Sequence, residues 1–235
     1  MKNISKLLAL AAFVLSLTAS AVFAEIKVGL TLGQGVWAAT GEEVVDNNTT
    51  DTQSTGSKSG TKDRKAHGAF AESVQSIFAE YDHGPVSIGI QLNGDVKTPE
   101  ATNIQQSDAS GSTQNTNTVK ATFAGEKMLY AIVDVPLPID LGLYLKAAIS
   151  QVDVKTGEQM ATGAAYPDTK TDGFHIGLGF EREVCGLGMR VEVLGSEYDN
   201  VSATSTNPAT DETAKVIKIR DMIGARATIS LLKAF

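Results

Sequence analysis

The side chains that could carry acid–base or metal chemistry are few and far apart in the sequence. The chain holds three histidines, His67, His83 and His175, and one cysteine, Cys185. No two of them have the H-x-x-x-H or paired Cys/His spacing that zinc sites use. Walker, G-x-S-x-G and EF-hand patterns are missing too. The sequence therefore predicts no catalytic residue, no metal site and no cofactor.

A larger set of charged side chains shares one pattern, because each lies on the polar side of a segment with alternating apolar residues. The set carries both signs, so its members can pair and hydrogen-bond if they face one interior. We predict that they form a charge network in such an interior: Lys27, Glu72, Glu80, Asp134, Lys146, Glu181, Arg190, Glu192, Lys218, Arg220 and Arg226.

The elements that must position these charges are strands. In the stretch DGFHIGLGFE (172–181), four large apolar residues alternate with three glycines and His175, which is the period of a strand. We interpret His175 as a hydrogen-bonded side chain that fills the interior. Similar alternation predicts eight strands, over 26–36, 70–81, 85–93, 119–135, 141–152, 172–181, 187–198 and 217–235.

The second of these segments, FAESVQSIFAEY (70–81), also fits the apolar stripe of a helix. The turn signal Asp82-His83-Gly84 follows it directly and leads into the very regular segment 85–93. This arrangement is typical of a hairpin. We therefore predict a strand here.

The connections between the eight segments alternate in length. Long polar stretches at 39–68, 94–118, 154–172 and 199–214 alternate with short ones at 82–84, 136–140 and 182–186. Structureless connections this long are uncommon in a compact soluble domain. In an outer-membrane barrel they are expected, with short periplasmic turns and long extracellular loops. We predict an all-β, closed antiparallel transmembrane barrel, with eight strands as the first choice and ten as the alternative.

The N-terminus and the composition agree with this location. Residues 1–24 combine Lys2 and Lys6 with an apolar run and small residues at Val22 and Ala24, as in a cleaved signal peptide. The run is shorter than a membrane-anchoring helix, which is the alternative. We predict a signal peptide at 1–24 and one barrel domain at 25–235. The formal charge is −7 and no basic patch stands out in the sequence, so we expect no nucleic-acid partner.

In a barrel within a lipid bilayer, the large apolar residues face lipid and the glycines and charges face the interior. A soluble barrel or sandwich has the opposite sense, and alternation alone does not distinguish the two. Aromatic residues near the predicted strand ends favour the membrane, where they form girdles at the two interfaces. We predict this interfacial role for Trp37, Tyr81, Phe174 and Phe180.

The chain ends in ARATISLLKAF, with Ala227, Ile229, Leu231 and Phe235 at alternating positions. This ending resembles the last strand of bacterial outer-membrane barrels, and Lys233 departs from the usual pattern. The architecture resembles the small eight-stranded outer-membrane proteins of the OmpA-domain and OmpX class. The resemblance implies that the four alternating residues are an assembly signal for the barrel-assembly machinery, and it transfers no other site.

These features predict a structural scaffold in the outer membrane of a Gram-negative envelope, surrounded by lipid and displaying polar loops at the cell surface. The loops are poor in aromatic residues, so we expect only weak surface ligands. A narrow porin-like channel for small or hydrophobic solutes is the alternative function. We expect no enzyme, and the residues weighed for that third function are His67, Asp63 and Asp172 at the outer rim.

Overall fold

The computed structural model describes residues 24–45, 64–98, 101–107, 114–137, 142–159, 165–206 and 215–235. Within these ranges no helix is long and apolar enough to cross a membrane. The predicted signal peptide lies outside them, except for Ala24. The strands are β1 (Ala24–Val45), β2 (Arg64–His83), β3 (Val86–Asn93), β4 (Val96–Lys97), β5 (Ala101–Ser107), β6 (Gln114–Asp134), β7 (Leu143–Gln159), β8 (Thr169–Val184), β9 (Leu187–Tyr198), β10 (Val201–Thr204) and β11 (Lys215–Ala234).

Eight of these strands form a closed barrel. Each pairs antiparallel with the next in the order β1-β2-β3-β6-β7-β8-β9-β11, and β11 returns to pair with β1. The seam is long, running from Lys27 opposite Ala234 to Val45 opposite Lys215. Closure leaves none of the eight strands as a free edge. The predicted all-β, eight-stranded antiparallel barrel is confirmed, and the segment that also fitted a helix is strand β2.

The two faces of the barrel wall have the predicted sense in the half near the short turns, which we call the short-turn half. Large aliphatic side chains there point outward, and Leu30 and Ile176 keep 64% and 60% of their surface exposed. Their polar neighbours point inward, and Arg190 is 2% exposed. The exterior of this half is therefore apolar and its interior is polar.

The strands continue well beyond the apolar exterior, into segments that the sequence predicts as loops. The ends of β1 and β2 occupy part of 39–68, β4, β5 and the start of β6 occupy part of 94–118, and β10 lies within 199–214. The prediction of loops was wrong there because these residues are polar or small and lack apolar alternation. Backbone pairing in a ladder does not require that alternation. We call this part of the barrel the long-loop half.

Two bulges mark the boundary between the halves. In β6 the register shifts between Ala124 and Lys127, with Gly125 at φ 58°. In β11 an extra residue lies opposite the step from Ala38 to Thr40, with Asp221 at φ 53°. Each extra residue reverses the faces of the strand beyond it.

A side chain on another segment accepts a hydrogen bond from the backbone N–H of each bulge residue. Asp95 Oδ1 accepts from Gly125 N at 3.0 Å, and Asn200 Oδ1 accepts from Asp221 N at 3.2 Å. These bonds satisfy donors that the bulge removes from the ladder. Both bulges are therefore fixed by the structure around them.

Candidate functional site

The centre of the interior in the short-turn half is Arg190 on β9. Its Nη1 and Nη2 each donate to one carboxylate oxygen of Glu80 at 3.0 Å, and its Nε donates to Glu181 Oε2 at 3.1 Å. Glu181 lies on the adjacent strand β8, but Glu80 lies on β2 across the interior. The rings of Phe78 and Tyr144 lie 5.3 and 5.2 Å from the guanidinium carbon. The bidentate ion pair of Arg190 with Glu80 therefore connects opposite walls of the barrel.

Two lysines extend the same network. Lys146 Nζ donates to Glu192 Oε1 at 2.9 Å and to Gln91 Oε1 at 3.1 Å, so it bridges β7 to β9 and β3. Lys27 Nζ on β1 lies 2.6 Å from Asp82 Oδ2 and 3.1 Å from Glu181 Oε1. Each buried charge thus has an opposite charge beside it, as burial requires.

A second network lies nearer the long-loop half and is organised by Glu126. Its Oε2 accepts from Arg226 Nη1 at 3.1 Å and from Asn93 Nδ2 at 2.6 Å. Its Oε1 accepts from Ser150 Oγ at 2.8 Å and from Tyr198 Oη at 3.1 Å. The five residues come from five strands, so this carboxylate joins β3, β6, β7, β9 and β11 at one point.

His175 belongs to the second network. Its two ring nitrogens lie 2.8 Å from the hydroxyl oxygens of Ser150 and Ser196, and Nε2 lies 3.3 Å from Glu126 Oε1. The ring is 0% exposed, so no substrate can approach it in this conformation. Among the described residues no group of histidine, cysteine, aspartate and glutamate side chains could hold a metal ion.

Glycines make room for aromatic rings in this crowded interior. A Cβ added at Gly29 would overlap the ring of Phe78, and one added at Gly89 would overlap the ring of Tyr130. A Cβ added at Gly179 would likewise overlap the side chain of Tyr144. The glycine alternation in the sequence therefore reflects the width of an eight-stranded barrel, in which each ring needs a neighbour without a side chain.

The interior of the long-loop half is apolar. Its buried cluster consists of Trp37, Val74, Phe123, Val152, Val154, Tyr198, Val201 and Met222, and Phe70 stacks on Trp37 at 5.6 Å between ring centroids. A cavity of about 20 Å³ remains between this cluster and the Glu126–Arg226 pair, which is the space of one water molecule. At the opposite end, a polar vestibule of about 340 Å³ opens beside Lys27, Asp82 and Asp134 and reaches Glu80 and Arg190.

The structure brings most of the predicted interior charges together, but not all. Lys27, Glu80, Lys146, Glu181, Arg190, Glu192 and Arg226 lie in the two networks. Asp134 is at the vestibule rim, and Glu72 makes no ion pair among the described residues. Sequence reasoning did not include Asp82 or Glu126 in the network, although Glu126 lies in a strand-like segment.

Lys218 and Arg220 lie on the outer face, and this corrects the prediction that they belong to the interior network. Ile219 between them packs against the interior apolar cluster, and Arg220 Nη2 pairs with Glu42 Oε2 at 3.1 Å. The physical reason is the bulge at Asp221, because it shifts the alternation of β11 by one residue. The sequence has no obvious signal for that bulge.

Trp37 also departs from its predicted interfacial position. It is 7% exposed and lies inside the barrel, over Gly35 and Gly224. Its odd position on β1 matches that of the inward residue Thr31, so the alternation itself would have placed it inside. Tyr81, Phe174 and Phe180 do lie on the outward face, with Tyr81 and Phe180 well exposed.

The predicted assembly signal occupies the outward face of β11. Ala227, Ile229, Leu231 and Phe235 are all exposed, and the backbone of Phe235 pairs with that of Ile26 at 2.9 Å and 3.2 Å. The last residue thus closes the barrel on the first strand. Its reading by the assembly machinery stays a prediction.

The residues weighed for an enzyme do not form a site in the described part of the chain. His67 on β2 is exposed and bonds to Thr40 on β1 at 3.0 Å, whereas Asp172 on β8 bonds to Gln151 on β7. Strands β2 and β8 are not neighbours in the barrel. Asp63 lies outside the described residues.

Comparison with known proteins identifies the fold. No protein-family model and no curated protein sequence matches the chain. Among solved structures, the outer membrane protein OprG from Pseudomonas aeruginosa is similar at 9% identity, with 87% of this chain and 95% of that chain covered and a TM-score of 0.50. The outer membrane protease OmpT from Escherichia coli gives 10% identity, 93% and 100% coverage and 0.45.

Ail, the attachment invasion locus protein of Yersinia pestis, gives 9% identity, 86% and 97% coverage and a TM-score of 0.34. The likeness to OprG, at 9% identity and a TM-score of 0.50, speaks for the fold and for nothing finer. With the closed antiparallel sheet and its apolar exterior, it leads to one conclusion: this chain has the fold of the small outer-membrane β-barrels.

Proposed function

We propose that the protein is an integral outer-membrane barrel that serves as a closed scaffold and presents a polar wall and polar loops to the medium. The observation that supports closure is the filled interior. Arg190, Tyr130, Tyr144, Leu194 and His175 are almost completely buried there. In the short-turn half, the bonds of Arg190 span the lumen from one wall to the other.

The outer face supports insertion in lipid. In the short-turn half it carries exposed Leu30, Ile90, Ile176 and Ile229, and an apolar band of this kind is what a bilayer contacts. The alternating residues at the end of β11 are proposed as the assembly signal. No catalytic activity is part of the proposal.

Insertion can be tested with the single tryptophan of the chain. Because Trp37 lies inside the barrel, brominated lipids should quench its emission only weakly. In a Trp37→Phe background, Ile176→Trp places a reporter on the proposed lipid face, and strong quenching is expected there. Equal, weak quenching of both reporters, or a protein that stays soluble without detergent, would rule out insertion.

Closure can be tested in planar bilayers with protein whose insertion has been verified by quenching. The scaffold proposal expects no reproducible single-channel current over many insertions. A narrow channel is the second candidate, favoured by the polar vestibule of about 340 Å³ that leads inward from the short turns. A steady current of constant amplitude would overturn the scaffold and support the channel.

A further inference from the structure

On one side, the outer wall of the long-loop half carries five exposed lysines. Val96 and Phe123 are paired residues of β4 and β6 that pack on the interior apolar cluster. Their chain neighbours Lys97 and Thr122 are paired too and therefore face outward. Lys97 and the other exposed, outward lysines of this wall form what we call the lysine face: Lys97, Lys120, Lys127, Lys155 and Lys170.

Three of these lysines lie close together. Thr122 pairs with Lys97 on one side and with Lys155 on the other. Two strand spacings of about 4.8 Å therefore separate the backbones of Lys97 and Lys155 by about 10 Å. Lys120 pairs with Gly157 of β7, and its side-chain carbons lie where a Cβ of that glycine would point. The absence of a side chain at 157 lets Lys120 lie across β7, the strand that carries Lys155.

Four aspartates share this wall with the lysines, and two of them, Asp168 and Asp172, accept hydrogen bonds from Thr156 N and Gln151 Nε2. Lys170 pairs with Asp153 at 3.5 Å, and Asp95 accepts the backbone bond of Gly125. Among the described residues no carboxylate lies within ion-pair distance of Lys97, Lys120, Lys127 or Lys155. Within the described part of the chain, four lysines of this wall thus have no ion-pair partner.

The lysine face continues directly from the apolar exterior. On β6 the outward residue next to Lys127, on its short-turn side, is the exposed Leu129, and Lys127 pairs with Leu92 and Gln151. Across the barrel, the outward positions of β1 beyond Leu32 are uncharged: Gln34, Val36, Ala38 and Thr40. The neighbouring strand β11 has Lys218 and Arg220 outward, and Arg220 pairs with Glu42. A ligand that fits the lysine face therefore has an apolar part at the level of Leu129 and negative charge beyond it.

We propose that the lysine face binds the phosphate groups of an outer-leaflet glycolipid whose acyl chains lie against the apolar wall below. This inference rests on the proposed insertion in the outer membrane. A phosphate with several ionised oxygens can accept from more than one ammonium group, and juxtamembrane basic residues attract anionic lipid in this way. Continuity with the apolar exterior selects a lipid rather than a soluble polyanion.

The test uses the full-length protein in nanodiscs of zwitterionic phospholipid. Titration with bisphosphorylated lipid A, followed by native mass spectrometry, measures bound glycolipid, with dephosphorylated lipid A as the second arm. The variant replaces Lys97, Lys120, Lys127 and Lys155 by glutamine. Wild type should prefer the phosphorylated lipid, and the variant should bind it at least about tenfold more weakly, since each basic residue near an anionic surface contributes appreciably. Its affinity for the dephosphorylated lipid should not change.

The control variant, Lys218→Gln with Lys233→Gln, removes outward lysines from β11 and should bind like wild type. Equal binding of both lipids by wild type, or equal losses in the two variants, would overturn the proposal. Inositol hexakisphosphate that binds as tightly as the lipid, with the same dependence on the four lysines, would replace the lipid by a soluble polyanion. Tryptophan quenching on the same nanodiscs identifies a failure of insertion separately.

Discussion

The two halves of the barrel are built with opposite polarity. In the short-turn half the outward residues are aliphatic, as at Leu30 and Ile176, and the inward residues include the paired charge Arg190. In the long-loop half the inward residues are apolar, as at Trp37 and Met222, and most outward ones are polar, with Val36 and Ile223 as exceptions near the boundary. A single barrel thus has an apolar exterior and a polar interior in one half, and an ordinary hydrophobic core in the other. The difference indicates what the interior of each half contributes to stability: paired charges in one, apolar burial in the other.

The bulges at Gly125 and Asp221 explain how the two β-strands that carry them can serve both halves. Beyond Gly125, the inward positions of β6 change from even to odd numbers, from Met128 to Phe123. Without the extra residue, Phe123 would point outward and its neighbours inward. On β6 and β11 the bulges therefore decide which residues beyond them point inward.

The largest expected effect comes from breaking the ion pairs of the short-turn half. Arg190→Met leaves the buried carboxylate of Glu80 without its charged partner, and losing one member of a buried pair costs about 4 kcal/mol. A folded barrel should migrate differently in SDS gels before and after heating. The variant should lose this heat-dependent gel shift at a clearly lower temperature than wild type. Arg182→Met removes an exposed arginine from the neighbouring strand and is the control. An equally small change in both variants would show that the buried charges are dispensable.

The apolar core of the long-loop half should give the next largest effect. Met222→Ala removes a buried side chain and should destabilise this half by about 3 kcal/mol, whereas Ile223→Ala, next to it but exposed, should cost far less. Limited proteolysis of the outer strands should accelerate only in the Met222 variant, while the heat-dependent gel shift of both proteins persists. If Ile223→Ala were the more damaging change, the proposed polarity of this half would be wrong.

The contrast between the halves also explains what the sequence could predict. In the short-turn half, alternation from Leu143 to Ile149 and from Phe174 to Phe180 predicts both the strands and their faces correctly. Beyond the bulges the same rule failed for Lys218 and Arg220, because one extra residue at Asp221 reversed the faces. Glu126 is in phase with the inward residues Met128 and Tyr130, so alternation does place it on the polar face, although the predicted network does not include it. The polar ends of the strands give no such signal, because their ladders form without alternating apolar residues.

A smaller effect should appear when the space for an interior ring is filled. Gly89→Ala in the short-turn half places a methyl group on the ring of Tyr130 and close to the carbonyl oxygen of Ala79, and such overpacking costs about 2 kcal/mol. Gly195→Ala is a matched control in another strand, since its Cβ would have only one atom, the carbonyl oxygen of Ile176, at ordinary contact distance. Urea unfolding in detergent, followed by Trp37 emission, compares the two. Similar midpoints would mean that the interior is looser than described.

The smallest effects should come from the bulges themselves, and they should have opposite signs. Gly125 has φ 58° and open space around it, so Gly125→Ala adds only backbone strain, about 1 kcal/mol. Asp221 already bears that strain at φ 53°, so Asp221→Gly should stabilise the barrel by a similar or smaller amount. Gly68→Ala, at another open position, is the control for adding a methyl group. The same urea midpoints measure all three variants. If the urea midpoints of the Gly125 and Asp221 variants shifted in the same direction, backbone strain in the left-handed conformation of the bulges would not explain the effects.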